Sequence, residues 1–231
     1  MYRDTKLDKA VLKEIEARGI RHIYHFTTTL NLVNIFRAKR ILNRQALDGV
    51  DDSLSQGINA EVLALMDEHR FDGYRSHVNV SIEHPNIYLM ERYKKDYDDP
   101  FNDWCVIDLR AEVIALKGTL FSISNAASSY AHKQGIKEGD HGLIALYQNE
   151  IKTAKGIFTR DGLDKRFPTD VQAEALVPYG IPIGKIQRIS FRSEDSKATA
   201  TALFKGVSDN LEAYLSLFDV DEKLFGLRSR A

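Results

Sequence analysis

No part of this sequence restricts its fold more than residues 165–191, KRFPTDVQAEALVPYGIPIGKIQRISF. At the centre, Val171, Ala173, Ala175 and Val177 alternate with Gln172, Glu174 and Leu176. A period of two predicts a strand with one apolar face, and it sets Gln172 and Glu174 side by side on the other. Two readings fit a carboxylate in that position. The face is open to water, or Glu174 looks into a cleft. In a cleft, a carboxylate on a rigid strand can grip a sugar hydroxyl or stabilise positive charge developing on a sugar carbon.

The chain is long enough, at 231 residues, for one large domain or a domain with an added lobe. Its 43% hydrophobic and 28% charged residues predict a globular protein with a substantial core. A formal net charge of -1 argues against a broad phosphate-tracking surface, though not against a local basic groove. The single cysteine, Cys105, lies in the apolar run Trp104-Cys105-Val106-Ile107 and reads as a buried strand residue. With no internal disulfide, no apolar leader and no membrane span in view, a cytoplasmic protein is expected.

Along the chain, residues 7–18 have helical spacing and Gly19 is placed to end the helix. Residues 20–26 predict a strand, followed by a helix over 30–40 with Thr27, Thr28 and Thr29 available as caps. Residues 43–59 read as an irregular polar loop and 60–69 as a helix. HVNVSI at 77–82 alternates as a strand, and 87–97 reads as a helix. Strands are expected at 104–109, 118–123 and 186–191, and helices at 125–132, 143–147 and 198–217. Short strands mixed with helices in this order predict an α+β fold.

The constellations narrow the chemistry. Seven histidines show no i, i+4 pairing with an acid, and one cysteine cannot make a thiolate cluster, so no metal is expected. There is no P-loop and no GxGxxG after a strand. His25-Phe26-Thr27 ends a strand and opens a helix. There Thr can serve as an ordinary cap, or the pair His25 and Thr27 can hold a ligand whose anion meets the helix N-terminus. Arg70 and Arg75 flank the turn Asp72-Gly73, either as exposed arginines or as guanidinium groups reaching a phosphate or an acid. Ser124 is a natural cap for the helix that follows it.

Certain blocks recur in a known order. They are Ile23-Tyr24-His25-Phe26-Thr27 followed by Leu32 and Ile35; Asp67-Glu68-His69-Arg70-Phe71-Asp72-Gly73, then Val80-Ser81-Ile82 and Pro85-Asn86; Phe121 to Ser129 with Asn125-Ala126-Ala127-Ser128; and Gln172-Ala173-Glu174-Ala175-Leu176-Val177. Together they resemble the DarT family of DNA ADP-ribosyltransferase toxins over about residues 20 to 192. In place of the family's aromatic-rich strand this chain has VNVSIEHPN.

The resemblance implies a single ADP-ribosyltransferase domain over 1–231, with a C-terminal helix at about 198–217. It implies two small antiparallel sheets forming an NAD cleft, flanked by helices. His25, Phe26, Thr27, Asn34 and Arg70 would contact NAD, the co-substrate. Arg70 would assist deprotonation of the acceptor base, a role for which Arg75 competes. Glu174 would be catalytic, orienting the ribose and stabilising the transition state. Residues 43–70 would cover NAD, and residues 129–174 would recognise substrate, with Lys133, Lys137, Lys152, Lys155 and Arg160 meeting phosphates and Tyr130 and Tyr147 stacking on bases or sitting in the core. The implied acceptor is a base in single-stranded DNA, and the implied partner a macrodomain antitoxin like DarG. The same fold acting on RNA or protein, or a non-catalytic binding module, are the alternatives.

Overall fold

The computed structural model describes residues 6–48, 72–96, 103–153, 156–207 and 210–228. Its strands are β1 (His22–Thr28), β2 (Arg40–Ile41), β3 (His77–Ile82), β4 (Trp104–Arg110), β5 (Leu120–Ser122) and β6 (Lys137–Glu138). They continue as β7 (Glu150–Thr153), β8 (Gly156–Thr159), β9 (Glu174–Pro178), β10 (Ile181–Pro182), β11 (Ile186–Phe191) and β12 (Phe218–Val220). The helices are α1 (Lys9–Arg18), α2 (Thr29–Arg37), α3 (Arg44–Asp48), α4 (Ile87–Asp96), α5 (Ser129–Gln134), α6 (Gly139–Ala145) and α7 (Glu194–Gly206). The fold is α+β, as the mixed element order predicts.

Eight strands join in one sheet, in the order β12-β11-β4-β1-β3-β9-β5-β6. Among the described residues, β11 and β12 are the pair that runs parallel. Two short ribbons, β10-β2 and β7-β8, stand apart from it. Two small sheets were expected, so this is a difference, and the pairing gives its reason. Strand β1 pairs with β4 along its whole length, His22 opposite Arg110 through Thr28 opposite Trp104. With β3 it pairs only at Ile23–Ile82 and Tyr24–Ser81. The half β12-β11-β4-β1 and the half β3-β9-β5-β6 are therefore continuous through one short seam.

The hydrophobic pattern explains which face is which. Ile23, Val78, Val80, Ile82, Cys105, Ile107, Leu109, Ala175 and Val177 enter one large core with α1 and α2. Strands buried on both faces read as near-continuous apolar runs, which is why every residue of β9 is buried. A second, smaller cluster on the other face joins Tyr24, Trp104 and Val106 to Ile87, Met90 and Phe225. Helix α1 is stopped where the sequence predicts, by Gly19 in the left-handed conformation at φ 69.

Three boundaries differ from the sequence reading. The C-terminal helix begins earlier and stops sooner. Ser193 caps α7 by accepting from Ser196 N, and after Gly206 the chain resumes as a 3-10 helix, Leu211–Leu217, entered through Asn210 at φ 52. The cap before α5 is Ser128, whose Oγ accepts from Ala131 N, rather than Ser124. The Glu174 strand starts at Glu174 itself, because Asp170 folds the preceding residues into a turn. Its Oδ1 accepts from Gln172 N at 2.9 Å and its carbonyl from Ala173 N at 3.1 Å. Gln172 thus leaves the strand and does not flank Glu174 on its face.

Gly142 tests how tightly α6 is seated. A β-carbon there would press on the Lys137 carbonyl oxygen and lie 3.0 Å from the Phe121 ring. Gly142→Ala is expected to destabilise the protein by about 1–3 kcal/mol through overpacking, despite alanine's better helix propensity. Urea denaturation reads this directly; a stabilised variant would mean that α6 has room to move.

Candidate active site

The site forms where β1 and β3 part. Beyond Tyr24–Ser81 the two strands no longer exchange backbone hydrogen bonds, and the His25 ring turns into the gap. Its Nδ1 donates to the Asn79 carbonyl oxygen at 3.0 Å, a roleless tautomer being excluded because a carbonyl only accepts. The side chain thus satisfies a backbone group that a regular ladder would have paired.

Glu174 opens β9 and is 3% exposed. Register fixes its surroundings. It lies opposite Ser81 on β3 and Ser122 on β5, so all three project from the face away from the large core. Its Oε2 accepts from the Ala126 backbone N–H at 2.9 Å and is 3.5 Å from Asn79 Nδ2. The amide group of Asn79 also reaches Asp72 Oδ2 at 3.2 Å, and Asp72 Oδ1 accepts from Tyr74 N at 2.9 Å. Asp72 is buried too, at 5% exposure. Beside Glu174 the Ser122 hydroxyl is fully buried, with no hydrogen-bond partner among the described residues. A buried carboxylate held by a backbone amide on a rigid strand has the fixed geometry that electrostatic catalysis needs.

The other expected site residues fall in different places. Thr27 is fully buried, and its Oγ1 accepts from Asn31 Nδ2 at 2.8 Å. Thr28 is the cap of α2, accepting from Asn31 N. The Phe26 ring lies on the opposite face of β1 from His25 and Thr27, with centroids 5.9 Å from Trp104 and 6.1 Å from Tyr93. Asn34 is buried on α2. Arg70 lies outside the described residues, as do most of residues 43–70 and the helix expected at 60–69. Arg75 is exposed in the turn before β3, where its carbonyl accepts from Gln45 N.

Two members of the expected recognition stretch have structural duties. Arg160 donates to the carbonyls of Phe167 at 2.8 Å and Asp164 at 3.1 Å, so its guanidinium folds the loop ahead of Glu174. Tyr147 is buried under the Arg18 guanidinium, 3.8 Å from its ring centroid, and its hydroxyl donates to the Arg166 carbonyl. Burial pushes that phenol well up, so it stays neutral. Tyr130 is half-buried against the large core. Lys133, Lys137 and Lys152 are exposed; Lys155 lies outside the described residues.

From the far end of the chain, Arg228 donates to the carbonyls of Pro168 at 2.8 Å and Thr169 at 3.3 Å. Thr169 N in turn donates to the Leu146 carbonyl. Arg228→Ala is expected to speed amide exchange at Thr169 about tenfold, the worth of one or two hydrogen bonds. Unchanged protection in hydrogen–deuterium exchange would show that the loop holds itself.

Burial also pushes the Cys105 thiol far up, and the fully enclosed sulfur is inert. Among the described residues no three His, Cys, Asp or Glu side chains gather as a metal site, and no helix is long and apolar enough to cross a membrane. The sequence reading missed Asn79 and Asp72 as members of the site. In HVNVSI, Asn79 is one of three alternating polar residues with nothing to single it out from His77 and Ser81, and Asp72 has a place in the turn and in the Asp67–Gly73 block but no role of its own there. Ala126 leaves no signal, since any residue but proline supplies that N–H.

A family model described as ssDNA thymidine ADP-ribosyltransferase, DarT, matches residues 24–218. The chain belongs to the DarT family. As a DarT family member it is an ADP-ribosyltransferase acting on single-stranded DNA. No curated protein matches the chain by sequence. Solved structures do match in fold. Thermus sp. 2.9 DarT in complex with NAD+ is 15% identical, with a TM-score of 0.51 over 89% of this chain and 98% of that one. The same Thermus protein in complex with ADP-ribosylated ssDNA is 13% identical, with a TM-score of 0.51 over 90% and 97%. Thermosipho africanus DarTG in complex with ADP-ribose is 15% identical, with a TM-score of 0.50 over 89% of this chain and 51% of that one. At these identities the likeness establishes the DarT fold.

Proposed function

We propose that the chain takes ADP-ribose from NAD, releases nicotinamide and places the ADP-ribose on a base of single-stranded DNA, thymidine being the acceptor named in the family's description. The observation that carries this is the buried Glu174 carboxylate of β9, fixed by the Ala126 N–H and opposite Ser81, the last β3 residue paired with β1 before the two strands part. The two sheet halves act as the walls of the NAD cleft. His25, Phe26, Thr27, Asn34 and Arg70 are the residues assigned to NAD. Support is strongest for His25, whose ring reaches across the seam to the Asn79 carbonyl.

In this reading Glu174 grips the ribose and its negative charge stabilises the positive charge that grows on the anomeric carbon as nicotinamide departs. Arg70 assists loss of the proton from the acceptor base. The exposed Lys133, Lys137 and Lys152 meet the DNA backbone locally, which suits a chain of net charge -1. The whole chain works as one domain, in the cytoplasm, as the toxin of a pair whose macrodomain antitoxin removes the modification. The naming of a DarTG protein among the structural matches supports such a pair.

The reading is tested by nicotinamide release, followed chromatographically. Release should require NAD and single-stranded DNA together and should stop on omission of either. Equal release without DNA would make the chain an NAD hydrolase instead.

A further inference from the structure

We propose that Asn79 is a positioning residue for the transfer reaction: its side-chain amide fixes the Glu174 and Asp72 carboxylates relative to each other while its carbonyl fixes the His25 ring. The inference rests on Glu174 being the catalytic carboxylate. Asn79 lies on β3 opposite Leu176 of β9, one strand from Glu174 and at the edge of the seam. Its Nδ2 is 3.2 Å from Asp72 Oδ2 and 3.5 Å from Glu174 Oε2. Only the NH2 end of the amide can face two carboxylates, and it carries two hydrogens, one for each. At 3.5 Å the contact to Glu174 is the weaker of the two.

The physical need for such a group is plain. Asp72 and Glu174 are both buried, and like charges at close range repel strongly when water is excluded. A double donor between them offsets part of that repulsion. Glu174 Oε2 is then held from two directions, by Ala126 N–H and by the Asn79 amide. Through its backbone oxygen the same residue orients His25 across the seam. One residue thereby ties together groups from both halves of the sheet.

The test compares wild type with Asn79→Ala, Asn79→Leu, Asn79→Gln and Glu174→Gln in modification of a thymidine-containing single-stranded oligonucleotide. Leu fills the volume of Asn without its donor, which guards against a loss caused only by a cavity. All retain the backbone carbonyl that holds His25. Asn79→Ala and Asn79→Leu should lose about 100-fold in kcat, the scale of a small misplacement of a reacting group, with KM for NAD within about threefold of wild type. Asn79→Gln, which restores an amide, should recover part of the loss. Wild-type kcat in Asn79→Leu beside an inactive Glu174→Gln would overturn the role of Asn79 alone. So would a loss confined to KM. Wild-type turnover in Glu174→Gln would instead overturn the assignment of Glu174 on which the inference stands.

Discussion

Glu174→Gln is expected to slow ADP-ribosyl transfer about a thousandfold, or about 4 kcal/mol of transition-state stabilisation, while leaving the fold intact. The substitution is chosen for its shape. A glutamine carbonyl oxygen can still accept from Ala126 N–H, the 2.9 Å bond that seats the side chain. What disappears is the negative charge, in a position that is 3% exposed and so little screened by water. If Glu174 merely satisfied Ala126, the variant would turn over normally. If it stabilises developing positive charge, single-turnover rates should collapse with little change in unfolding midpoint. A thousandfold loss accompanied by early unfolding would point to a structural role.

Phe36→Ala is expected to cost about 3–5 kcal/mol of stability, the range for truncating a buried phenylalanine. Phe36 is 1% exposed on α2. Its ring lies 5.4 Å from Phe204 of α7 and 4.6 Å from Tyr214. Phe204 then meets Phe218 at 4.9 Å, and Phe218 meets Phe191 of β11 at 5.0 Å. This chain of rings attaches the C-terminal segment to the helix that follows the His25 strand. Domains of this kind have about 5–15 kcal/mol in total, so the variant should unfold at much lower urea, in a single transition. A shift worth under about 1 kcal/mol would show that α2 relaxes to fill the gap.

The parts of the fold readable from sequence are those governed by local pattern. HVNVSI alternates, and β3 spans those same residues, His77–Ile82. The strand at Ile186–Phe191 and the stop at Gly19 were equally plain. The errors lie where one side chain competes with periodicity. Val171 and Ala173 continue the alternation of β9 on paper, yet the Asp170 carboxylate draws Gln172 N into a turn and the strand starts later. Likewise the Ser193 cap starts α7 ahead of the expected residue 198, and the chain leaves the helix at Val207, which is extended at φ -90.

The site was half legible for a related reason. Glu174 and His25 stood out because their residue types are unusual in apolar strands. Their partners could not be seen, because each bond that seats them spans a long sequence separation: His25 to Asn79, Ala126 to Glu174, Asn79 to Glu174. Charge alone misled at Arg160, which serves the carbonyls of its own loop. Nothing in a sequence pattern distinguishes that arginine from one reaching for phosphate.

The most direct test of the account is to incubate the protein with labelled NAD and three acceptors in parallel: single-stranded DNA, single-stranded RNA and a protein extract. Label should appear on DNA alone and be absent when Glu174→Gln replaces wild type. Label on RNA or protein but not on DNA, or equal labelling of DNA by the variant, would contradict it.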